Sequence, residues 1–115
     1  MSSAPETGPE TDVVSVYVTF PADFAVEEAV TALVREKLAA CGNLMTGATS
    51  LYSWEGRIER DAETIAIFKT TADRIEALVA RLREIHPYDT PCIVAWPVIG
   101  GFGPYLEWVK TETRF

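Results

Sequence analysis

Residues 43–71 read NLMTGATSLYSWEGRIERDAETIAIFKTT. Two stretches rich in β-branched and aromatic residues flank Glu55 and Gly56, and a two-residue connection ending in glycine between such stretches marks a β-hairpin. The reading places strands over 43–54 and 57–71. In the second arm Ile65 and Ile67 alternate with Ala66 and Phe68, so both faces of that strand are expected to be covered.

Working outward, residues 13–20, VVSVYVTF, form a strand with Val14, Val16, Val18 and Phe20 on one face, closed by Pro21. Asp23 is placed as the N-cap of a helix. Its stripe is Val26, Val30, Leu33, Val34, Leu38 and Cys41, and Gly42 is placed at its C-cap. After the hairpin, Asp73 is placed as the cap of a second helix carrying Ile75, Leu78, Val79, Leu82 and Ile85, which Pro87 ends. Residues 92–98 make the last strand, and residues 105–113 a short helix with Leu106 and Val109 on one side. Strand, helix, strand, strand, helix, strand, with the middle pair a hairpin, is the split βαβ pattern of an α+β ferredoxin-like sandwich with an antiparallel sheet and an extra C-terminal helix. Both long helices would cover one sheet face. The other would be bare although strands one and three are apolar on both sides, so self-association is expected to cover it.

The chain has 115 residues, 48% of them hydrophobic and 23% charged, which suits one domain with one core. Residues 1–12 carry no apolar periodicity and read as a flexible tail before a single domain over 13–115. A net charge of −7 opposes a phosphate backbone, so nucleic acid is not an expected partner. No apolar run approaches the roughly 18 residues of a membrane helix, and the N-terminus lacks a basic and an apolar region, which places the chain in the cytoplasm and away from membranes. In that reducing compartment Cys41 and Cys92 are expected as free thiols.

The chain's single histidine, His86, ends the second helix. It reads either as a metal ligand or acid/base group, or as a helix-terminal cation beside the negative end of the dipole. In the expected fold it lies near Cys92, which reads as a small core residue or a ligand. Cys41 lies at the opposite edge. Trp54, Trp96 and Trp108 are core or interface anchors, or line a pocket. Glu63 and Lys69, six apart in one strand, share a face as a surface stripe or a buried pocket. No spacing of nucleophile, base and orienting group is visible, so no enzyme is expected.

Taken together, EKLAACGNL (36–44), GATSLYSWEGRIERDAETIAIFKT (47–70) and HPYDTPCIVAWPV (86–98) resemble the CutA family of divalent-cation tolerance proteins, in the family's order over residues 14–114. The resemblance implies a ferredoxin-like fold, a homotrimer similar in architecture to the PII signalling proteins, and binding of copper or another divalent metal that folding does not require. It points to His86 as the metal ligand. The cysteine of the first strand and the first of two consecutive histidines in bacterial members are Val18 and Ile85 here. Cys92 stands where the family usually carries Glu and offers a softer ligand. Glu63, Lys69, His86 and Tyr88 match recurrent family positions. Two functions follow: a trimeric metal-tolerance protein with His86 and Cys92 as ligands, or a PII-like regulatory scaffold. In the second, Glu63, Lys69, Tyr88 and Trp54 form a pocket at subunit clefts for a small molecule or partner protein.

Overall fold

A computed structural model describes residues 11–115. The strands are β1 (Val13–Pro21), β2 (Cys41–Trp54), β3 (Arg57–Thr71) and β4 (Ile93–Pro97); the helices are α1 (Val26–Arg35), α2 (Ile75–Ile85) and α3 (Gly103–Glu112). The sheet order is β2-β3-β1-β4, with every neighbouring pair antiparallel. This is the expected ferredoxin-like arrangement. Most of the expected tail, residues 1–10, lies outside the described residues. At its last two positions Thr11 Oγ1 donates to Val98 O at 2.6 Å and Asp12 O accepts from Ala72 N at 2.8 Å, which joins them to the domain.

One sheet face carries the core. Val14, Val16, Val18 and Phe20 of β1 and Ala66 and Phe68 of β3 pack against Val26, Val30 and Leu33 of α1 and Leu78 and Leu82 of α2. The helix stripes match the reading of the sequence and the caps do not. Ala25, not Asp23, precedes α1, with no side-chain cap. The helix stops at Arg35, well short of Cys41, because Lys37 takes a left-handed φ of 63°. Lys37 N then donates to Val34 O and Leu38 N to Leu33 O, the paired bonds of a Schellman ending. Gly42 belongs to β2 and is small for another reason: a Cβ there would sit 2.6 Å from Val30 Cγ1, so glycine lets α1 lie against the sheet. Asp73 does not cap α2 either. Its Oδ1 accepts from Thr71 Oγ1, and a 3₁₀ turn, Ala72–Arg74, leads into the helix. Cys92 precedes β4 and is exposed, so its expected place among core residues is corrected.

On the second, outer face, α3 covers one end, where Val13, Ala40 and Val109 are buried together beside Val98 and Leu106. Beyond α3 that face presents Tyr17, Met45, Ile65, Ile67, Val94 and Trp96, and Met45, Val94 and Trp96 remain 43%, 49% and 43% exposed. At Met45/Ala48 a β-bulge shifts the register, with Gly47 at φ 79°. Before it the outward residues of β2 are odd-numbered, as in Asn43 opposite Ile67; after it they are even-numbered, as in Ser50 opposite Asp61. From Ser50↔Asp61 to Trp54↔Arg57 the two arms pair only with each other, so this part of the hairpin projects beyond the other strands. The radius of gyration, 15.6 Å, exceeds the roughly 13 Å expected of a compact chain this long, as a projecting arm requires.

Candidate functional site

The projecting hairpin and the segment between α2 and β4 enclose a cleft of about 670 Å³ on the outer face. Its size suits a small molecule. The bulge matters here, because it turns Ser50, Tyr52 and Trp54 of β2 to the same side as Glu59, Asp61 and Glu63 of β3. The floor is Tyr17 and Thr19 of β1, and the far wall is Tyr88, Thr90 and Cys92.

Glu63 is only 6% exposed, yet no described cation pairs with it. Its carboxylate is held by two neutral hydroxyls: Ser50 Oγ donates to Oε1 at 2.5 Å and Tyr88 Oη to Oε2 at 3.2 Å. Next to it Tyr52 Oη donates to Asp61 Oδ2 at 2.5 Å. Burial, the bond to Glu63 and the charges of Glu63 and Asp61 push the Tyr88 phenol up to about 12. The bond to Asp61, with burial and the charges of Asp61 and Glu59, pushes Tyr52 up to about 12 as well. Both phenols therefore stay protonated as donors at neutral pH. The cleft carries acidic charge between aromatic walls.

Of the residues singled out in the sequence, Glu63, Tyr88, Trp54 and Cys92 line this cleft together. Lys69 does not. It shares the face with Glu63 but stands six residues along β3, about 20 Å at strand rise, where its Nζ reaches Asn43 Oδ1 at 3.5 Å. His86 lies behind the far wall, buried, with its ring stacked on Phe20 at 4.7 Å between centroids. Nε2 lies 2.7 Å from Thr19 O and must donate to it, while Nδ1 accepts from Tyr88 N at 3.1 Å. Both ring nitrogens are thus engaged within the chain. His86 is near Cys92 as expected, since Thr19 N donates to Cys92 O. That donor set does not fit a metal centre within one subunit: the lone pair of Nδ1 is occupied, and among the described residues no three of His, Cys, Asp or Glu converge.

The reading of the sequence missed Ser50, Tyr52, Glu59 and Asp61. A signal was present in RIERDAE, where Glu59, Asp61 and Glu63 recur with period two and so share one strand face.

The profile of the family described as CutA1 divalent ion tolerance protein matches residues 14–112. The divalent-cation tolerance protein CutA of Pectobacterium atrosepticum is 38% identical over 106 residues, covering 92% of this chain and 96% of its own length. The chloroplastic protein CutA of Arabidopsis thaliana is 42% identical over 99 residues, covering 86% of this chain. The chain spans about half the length of such plant relatives, 54% in that case. Among solved structures, the divalent cation tolerance protein of Thermus thermophilus superposes with a TM-score of 0.86 at 37% identity, covering 89% of this chain and 99% of that one.

Proposed function

The chain belongs to the CutA1 divalent ion tolerance protein family, and from that premise we propose that it serves divalent-cation tolerance as a non-enzymatic, cytoplasmic binding protein. In this reading three copies close a ring over the apolar part of the outer face, and each subunit brings its cleft to the edge of that contact. The observation that carries the reading is the continuity of the two surfaces. Tyr17 lines the cleft and also pairs across β1 with Val94 and Ile67 of the uncovered apolar patch. A projecting arm that reaches a neighbour is given by each subunit and received by the next, so the contact is heterologous and must close to avoid a filament. Light scattering on eluting protein tests the assembly: three times 12.7 kDa, about 38 kDa, is expected, and a 12.7 kDa species at micromolar concentration overturns it.

Copper is the finer expectation attached to the family resemblance, and His86 and Cys92 of one subunit do not make a complete copper site. His86 spends its nitrogens on Thr19 and Tyr88, and Cys92 supplies one thiol. Replacing the ring by His86→Ala is expected to cost roughly 2 to 4 kcal/mol through the lost stack on Phe20 and the two freed bonds. A copper titration of the folded variant should match that of the parent protein. A loss of copper stoichiometry in that variant would return His86 to the role of ligand.

A further inference from the structure

We propose that each cleft is completed by a cation from the neighbouring subunit: Lys69 of one copy meets the acidic row that runs up the next copy's projecting arm, centred on Asp61. This contact rests on the ring just described and adds the charge pairing that sets its direction. Glu59, Asp61 and Glu63 are alternate residues of β3 and share its outer face. Asp61 and Glu63 have only hydroxyl donors, from Tyr52, Ser50 and Tyr88, and Glu59 reaches only Arg57 at the exposed tip of the arm. On the same face of the same strand, Lys69 has the opposite lack. It is half-buried, its cross-strand neighbours are Ser15 and Cys41, and its one bond is the 3.5 Å contact with Asn43 Oδ1. No carboxylate pairs with it among the described residues.

Within one chain the two signs cannot meet. Lys69 stands six residues from Glu63 and eight from Asp61, about 20 and 26 Å at strand rise, with the outward residues Ile65 and Ile67 in between. A second copy removes the obstacle, because a head-to-tail contact lays one end of a face on the other end of the next. Lys69 borders the apolar patch, since it and Trp96 flank Ser15 on the two sides of β1. Tyr52 and Trp54 of an incoming arm, 41% and 56% exposed, then cover Ile67, Val94 and Trp96, while the acidic row beside them falls on Lys69. A charge left without a partner in that contact would weaken it, and the net charge of −7 on every copy opposes assembly. A located pair of opposite charges is what orients the copies.

Carbodiimide coupling of the whole chain tests the pairing, because it joins a carboxylate to an amine without a spacer and only where the two are in contact. It is run at a concentration where light scattering reads three times 12.7 kDa. Covalent dimers and trimers on a denaturing gel are expected, with the new amide joining Lys69 to Glu59, Asp61 or Glu63 in the digested product. Lys69→Arg keeps the charge and cannot couple, so it should assemble and lose that amide. Lys69→Glu sets acid against acid and should raise the concentration needed for assembly at least roughly tenfold, the effect of losing one charged contact. Adding Asp61→Lys to the same chain should restore assembly. Circular dichroism and thermal melts check folding, and Lys69→Gln, which removes only the charge, stands in if Lys69→Glu melts early. No amide at Lys69, an amide only to carboxylates outside the row, or a folded Lys69→Glu or Lys69→Gln protein that assembles like the parent overturns the proposal. A parent of 12.7 kDa sinks the ring and the pairing together, and a ring of three times that mass without the amide sinks the pairing alone.

Discussion

Gly42 shows how a residue can be singled out for the wrong reason. A glycine after an apolar stripe reads as a helix terminus, but the stripe had already ended at Arg35, and Gly42 marks the closest approach of α1 to the sheet. Sequence pattern carries no signal for such an approach, because the contact is made with Val30 twelve positions away. Gly42→Ala would put a methyl 2.6 Å from Val30 Cγ1 and 3.3 Å from the Phe68 ring, and neither neighbour can leave the core. A loss of about 1 to 3 kcal/mol is expected in urea unfolding. The cleft offers a second residue-scale prediction. The raised Tyr88 phenol means the folded state prefers the proton, so this stabilising contribution is complete below the ordinary tyrosine value of about 10 and is lost as pH climbs towards 12. Burial acts on Tyr88 whatever its partner, but the bond and charge of Glu63 act only while that carboxylate is present. In Glu63→Gln, NMR titration of ring-labelled tyrosine should find the Tyr88 phenolate at lower pH than in the parent, and an unmoved curve would mean burial alone raises it.

At the scale of the element, strand and helix stripes were legible because each has a period that side chains must obey, 2 for β1 and β3 and 3.6 for α1 and α2. Both arms of the hairpin and the turn at Glu55 and Gly56 follow from that period and from one glycine; the structure gives φ 49° and 78° at these two residues. What the period could not show is where it slips. The bulge at Met45/Ala48 reverses which residues of β2 face outward, so the outward set of Ser50, Tyr52 and Trp54 follows from a backbone irregularity, not from alternation. The end of α1 was hidden for a related reason: the left-handed position is filled by Lys37, where chain-reading rules look for glycine. That substitution carries a measurable penalty. Lys37→Gly keeps the bonds from Lys37 N and Leu38 N, removes the side chain from a strained backbone, and is expected to raise stability by about 0.5 to 1 kcal/mol. Thermal melting checks it, and a lower melting temperature would mean that the lysine side chain holds a contact of its own.

Across the whole molecule the two sheet faces have different fates. One is sealed by α1 and α2 around Phe20, Phe68, Leu33, Leu78 and Leu82, all fully buried. The other is sealed by α3 only near Val13 and Val109, and past that point Tyr17, Ile67, Val94 and Trp96 form an apolar surface on a chain that carries a net charge of −7. Apolar area of this kind beside an open edge strand is retained where another chain covers it. Val94 is the place to test that. It stands on the edge strand β4 opposite Tyr17, and it is 49% exposed in the single chain. A carboxylate there is therefore solvated in an isolated subunit and costs the fold little. In a ring it would be carried into an apolar contact without a partner, at a cost of several kcal/mol per interface. Val94→Glu is accordingly expected to leave the circular dichroism spectrum unchanged while the mass by light scattering falls to 12.7 kDa, and Val94→Thr, similar in shape and suited to a strand, should stay assembled. A Val94→Glu protein that folds and keeps the mass of the parent would show that the apolar part of the outer face lies outside the contact, and would move the interface to the projecting hairpin alone.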